Sequence, residues 1–172
     1  MRRLLELSDF VRGIYLRRRF GQLSPLQVLR VEFTWDVAEC DWLARSKCEW
    51  DTNRPALERK YNASLQALED ALAVRELLFR TLPTARSAVF RVYRRGLERR
   101  FDLIIAGTVR RGEQAGRKIR SAAMKGKLCG LQFRMSEAGL EALQTEDWQS
   151  RSAPEFLENI EISTNGGSLN GT

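Results

Sequence analysis

Leu57, Tyr61, Leu65, Leu68, Leu72, Arg75, Phe79 and Leu82 follow one another at intervals of 4, 4, 3, 4, 3, 4 and 3. Intervals alternating in this way keep side chains on one stripe of an α-helix, which turns once in about 3.6 residues. Thr52-Asn53-Arg54-Pro55 resets the chain ahead of the run and Pro83 stops it, so a long helix with a near-heptad seam is predicted from about 55 to 82. Arg75 sits in that seam where an apolar residue belongs. Its stem can pack while its head reaches water, or its guanidinium can pair with a buried carboxylate.

The flanking segments are read in the same way. Leu4, Leu7, Val11 and Ile14 predict a short amphipathic helix over 3–20, closed by Arg17, Arg18, Arg19 and Gly21. Ser24-Pro25 is a good helix start. After it, Val28, Val31, Trp35, Ala38 and Trp42 fall on one helical side, and Leu29, Phe33, Val37 and Cys40 on the opposite one. The stretch LRVEFTW (29–35) also alternates like a strand, but one cap and no internal breaker favour a single helix from about 25 to 49. Phe90, Tyr93, Leu97, Phe101 and Ile104 mark the apolar side of another helix, about 85–110. Residues 110–127 read as a loop or a short helix between Gly116 and Gly126, and LCGLQFRM (128–135) as a brief strand. Ser136 caps a last helix to about 147. The expected architecture is an all-α bundle of four to five helices in residues 1–147, followed by an acidic, flexible tail over 148–172.

Histidine is absent from the 172 residues, which removes Ser-His-Asp and Cys-His catalysis and the imidazole ligands of most zinc and iron sites. Cys40, Cys48 and Cys129 are scattered and odd in number, which suits unlinked thiols in a reducing compartment. Gly107-x4-Gly112 suggests a phosphate loop. Glu113 and Gln114 then stand where the lysine and hydroxyl of such a loop are required, and a carboxylate there repels phosphate. No cofactor and no metal are expected. Glu32, Asp36 and Glu39 share one side of the predicted 25–49 helix and could hold magnesium for phosphodiester chemistry; an acidic surface that is solvated, or set against an Arg-rich neighbour such as the 91–99 helix, is the simpler account. Trp35 and Trp42, seven residues apart, are candidates for an interface or for a bundle core.

Charge is the remaining signal. The chain carries a formal +7, yet residues 91–127 alone hold twelve Arg or Lys against Glu98, Asp102 and Glu113, a net +9. A basic block of this density calls for a partner with dense negative charge, and nucleic acid is the commonest one. The expected contacts are Arg110, Arg111, Arg117, Lys118, Arg120, Lys125 and Lys127, with Arg94 and Arg95 flanking. Glu137, Glu141, Glu146, Asp147, Glu155, Glu158 and Glu161 could instead fold back and mask the block.

The expected function is therefore non-catalytic binding of nucleic acid, DNA or RNA, through its phosphate backbone. The alternative is a structural or adaptor subunit of a homo-oligomer or larger complex; an enzyme built on the carboxylate stripe is third. No stretch approaches the ~18 apolar residues of a membrane span. Glu6, Asp9 and Arg12 break up what would otherwise resemble a secretory leader, so a cytoplasmic protein is expected.

Overall fold

Residues 27–43, predicted as helix, form an antiparallel hairpin in the computed structural model: β1 (Gln27–Thr34) and β2 (Val37–Leu43). The structure describes residues 26–34, 36–45, 51, 53–96, 100–113, 116 and 118–144, together with Val11, Ile14, Tyr15 and Arg18. The remaining elements are α1 (Ala56–Thr81), β3 (Ser87–Arg95), β4 (Phe101–Arg110), α2 (Ala122–Leu128), β5 (Leu131–Gln132), β6 (Met135–Ser136) and β7 (Gly139–Leu140). The protein is thus an α/β fold and not a helical bundle. Its frame is a mixed five-stranded sheet in the order β1-β2-β3-β4-β5, beside a two-stranded sheet β6-β7.

The hairpin follows from alternation. Ala38, Cys40 and Trp42 are fully buried and point to one face of the sheet, whereas Glu39 and Asp41 point to the other. Spacings of three and four had also been available in this run, because a strand with apolar residues on both faces supplies them by coincidence. The same substitution occurs at 85–110. Phe90 and Tyr93, placed on one helical side by the sequence, belong to two separate apolar clusters on opposite faces of the sheet. Of the predicted 3–20 helix, Val11, Ile14, Tyr15 and Arg18 are helical and exposed. Ser136 caps no helix: it lies in β6, and its hydroxyl donates to the carbonyl of Gly139 at 3.2 Å across the β6-β7 turn. The predicted tail over 148–172 lies outside the described residues.

β2 and β3 run parallel, from Val37 opposite Ser87 to Leu43 opposite Tyr93. A parallel pair needs a crossover, and α1 provides it by lying across one face of the sheet. At 26 residues α1 is about 39 Å long. It packs through Ala67, Leu68, Ala71, Val74 and Leu78, with the two alanines allowing close approach to Trp42, Phe90 and Val92. The predicted seam is buried at Leu68, Arg75, Phe79 and Leu82 and half-buried at Leu72, while Leu57 and Tyr61 at its start are exposed. Trp42 meets Phe90 edge-on with ring centroids 5.2 Å apart. It is a core residue; Trp35 lies outside the described residues. Asp70, buried on α1, accepts both Arg45 nitrogens from the end of β2 and so ties helix to sheet.

β5 joins the sheet at a point where no side chain fits. A Cβ on Gly107 would collide with the carbonyl oxygen of Gly130, and one on Gly130 with that of Thr108. Gly130 also holds a φ of +89°, the left-handed region that glycine tolerates. Gly130→Ala is expected to cost about 1–3 kcal/mol, read from the midpoint of urea unfolding. An unchanged midpoint would refute the tight junction.

Candidate functional site

Two groups of charged side chains stand out, and they differ in what they leave accessible. The first is a largely buried network on the sheet face opposite α1; the expected setting of the acidic residues against the arginines of 91–99 holds for Glu39 and Arg91, whereas sequence reading missed Asp41. Asp41 accepts Arg91 at 2.9 Å through one carboxylate oxygen and Arg30 at 3.0 Å through the other. Glu39 accepts Arg30 at 2.9 Å and Arg91 at 3.0 Å through a single oxygen. Asp41 and Arg91 are buried, with Leu29, Leu43, Tyr93, Leu103 and Ala106 forming an apolar cluster on the same face.

Burial pushes the Asp41 carboxyl above its ordinary range, against the pull of Arg91 and Arg30. It also raises the Tyr93 hydroxyl to about 12, with Asp41 adding to the effect. Both Asp41 oxygens are occupied by guanidiniums, so the network braces β1, β2 and β3. Glu32 lies opposite Glu39 in the hairpin, and the Asp36 carbonyl accepts the amides of Arg86 and Ser87. Of the carboxylates read as one helical stripe, Glu32 and Glu39 thus lie side by side and both reach Arg30, Glu32 at 3.9 Å. Among the described residues no cluster of acids and cysteines could hold a metal ion.

The second group is the basic segment after β4, and the structure sorts its members. Arg111 is half-buried and donates to the carbonyls of Ala85 at 2.9 Å, Phe79 at 2.8 Å and Leu82 at 2.5 Å. It therefore caps the C-terminal end of α1, where unpaired carbonyls and the helix dipole favour a cation. Arg94 donates to the Leu140 carbonyl at 2.9 Å and lies 3.5 Å from Asp102. Both are structural contacts. Arg95 is exposed, but β3 separates it by about 26 Å from Ser87, whose partner in β4 is Arg110. Arg94 and Arg95 thus sit at the far end of the β3-β4 hairpin from the segment they were expected to flank. Arg110 is mostly exposed and has Glu113 3.7 Å away.

Beyond Glu113 the arrangement changes. From Gln114 to Ser136 the chain holds Arg117, Lys118, Arg120, Lys125, Lys127 and Arg134 and no acid. Arg117 lies outside the described residues. Lys118, Arg120, Lys127 and Arg134 are exposed and Lys125 is half-buried. None of these five forms an ion pair among the described residues.

α2 is what gives the segment its shape. Ser121 caps it, its hydroxyl accepting the Met124 amide at 3.3 Å, and Lys125 and Lys127 occupy its last turn, where cations are favoured. Gly126 lets α2 press onto the core: a Cβ there would meet Phe133 at 3.3 Å, with Leu131 and Leu68 just beyond. Lys127 reaches over the Phe133 ring, 5.6 Å from its centroid. The cations are thus mounted on a packed scaffold and not on a free tail. Chemically, such a surface can hold anions. Comparison with protein-family models, with curated proteins and with solved structures finds no match to this chain.

Proposed function

We propose that this protein binds nucleic acid without catalysis, holding phosphates with Lys118, Arg120, Lys125 and Lys127, and with Arg110 and Arg134 beside them. One observation carries the reading: this surface segment combines five described cations with no carboxylate partner, while Arg91, Arg94 and Arg111 in the same basic block are taken up by the fold. An exposed cation without a partner keeps its field for a ligand, and releasing counterions from a polyanion then drives binding. The buried, unlinked thiols of Cys40 and Cys129 favour a reducing compartment such as the cytoplasm. Among the described residues no helix is long and apolar enough to cross a membrane.

Labelled single- and double-stranded DNA and RNA, titrated by anisotropy at 50 and 200 mM salt, test the reading. Binding that weakens by about a thousandfold across that range for at least one probe is the expected result for six or so phosphate contacts. No binding at the lower salt would overturn it. Subunit assembly is the second reading, favoured by the exposed Met124 and Leu128, one helical turn apart on α2. An apolar interface of that kind would hold or strengthen as salt rises.

A further inference from the structure

The cationic segment is a closed loop. The outgoing strand β4 ends at Arg110, the chain runs on to Glu113, and it returns at Cys129, whose thiol donates to the Glu113 carbonyl at 3.7 Å. The same carbonyl accepts a hydrogen bond from Arg75, which reaches over from α1. Arg75 also donates to the carbonyl of Arg110 at 2.7 Å and, more weakly, to that of Arg111 at 3.4 Å. It is buried, only 8% exposed, and takes no carboxylate: its acceptors are the three carbonyls at the loop's neck. Neither sequence reading of Arg75 anticipated this. Its guanidinium lies 5.3 Å from the Phe79 ring centroid, and that of Arg111 lies 5.0 Å from the same centroid. Two cations thus share one ring, one holding the loop's neck and the other the end of α1.

A leucine at this seam position would bury its side chain without desolvating a charge. What arginine adds is a donor: its Nη2 alone serves the three carbonyls, which an apolar side chain cannot do, while its buried Nε has no hydrogen-bond partner among the described residues. Those carbonyls belong to the residues at which the chain leaves the sheet for Lys118 and Arg120.

We propose that Arg75 is a positioning residue for nucleic-acid binding: it touches no phosphate, but it locks the neck of the basic loop so that its cations face one ligand together. The inference rests on the functional reading given above. Arg75→Leu tests it, with Arg75→Met, which keeps an unbranched stem, serving if the leucine variant does not fold. Amide hydrogen exchange over 113–121 should accelerate at least tenfold, while the interior of α1 from 64 to 74 stays within about twofold of wild type. In the same variant the salt slope of oligonucleotide binding should fall by about one, although no exposed charge has been removed. Arg75→Lys, which can donate to the same carbonyls, should restore both. A folded variant with unchanged exchange over 113–121 overturns the lock. Faster exchange with wild-type affinity and slope overturns the positioning role. Absence of oligonucleotide binding by the wild-type chain sinks the functional reading instead, and the exchange experiment still decides the lock.

Discussion

Replacing Lys118, Arg120, Lys125 and Lys127 together with glutamine is expected to lower nucleic-acid affinity about a thousandfold at 0.1 M salt, and to reduce the salt slope by about three. Each phosphate contact contributes about 0.7 to the slope on a single strand and about 0.9 on a duplex, so four lost contacts account for the change. Folding should survive, because Lys118, Arg120 and Lys127 are exposed and Lys125 is half-buried. Loss of the two lysines from the last turn of α2 removes about 1 kcal/mol or less each. Arg95→Gln provides the contrast. Its side chain is equally exposed, but it stands at the distant end of the β3-β4 hairpin, so slope and affinity should stay at wild-type values. If the quadruple variant binds as wild type does, or if Arg95→Gln lowers the slope as much, the binding surface lies elsewhere.

The second large effect is on stability. Asp41→Ala should cost about 3–5 kcal/mol and lower the melting temperature by about 10 °C, because it leaves the buried Arg91 with only Glu39, which it must share with Arg30. Removing both members of the buried pair, as in Asp41→Leu with Arg91→Met, should recover most of that loss, since apolar side chains of similar size need no partner. A double variant no more stable than the single one would show that the charges brace the hairpin in some further way.

The pH dependence has a definite sign. Burial raises Asp41 above its unfolded value, so the folded chain binds this proton more tightly than the unfolded chain. The contribution is therefore fully present below about pH 3.9, the ordinary value of an aspartate, and is lost as pH rises through the raised one. The melting-temperature advantage of wild type over Asp41→Asn should shrink from pH 3.5 to pH 7. An advantage that grows over that range would mean that the guanidiniums outweigh burial.

The long helix was legible because its information is local. Residues from Leu57 to Leu82 repeat at helical intervals between two breakers, and α1 begins and ends within a residue or two of the predicted limits. The density of cations after Gly107 was legible too, since it is a matter of composition. The strands were not. Val31, Ala38 and Trp42 satisfy a helical template as well as an alternating one, and what selects between them is a partner far along the chain. Glu39 and Asp41 alternate with Ala38, Cys40 and Trp42, so they share a face once residues 37–43 are strand. Only pairing of β2 with β3, across fifty residues from Asp41 to Arg91, gives that face its counter-charges.

The roles of the arginines divide in the same way. The sequence by itself determined that residues 91–127 are strongly basic, that the chain has no imidazole and that one helix is long. Tertiary structure alone decided which cations remain free for a ligand. Arg111 and Arg94 look like Lys118 and Arg120 in a charge count, yet the first two are spent on backbone carbonyls of α1 and β7. A charge is fixed by the residue type, whereas its availability depends on which carbonyls and carboxylates folding brings within hydrogen-bonding distance.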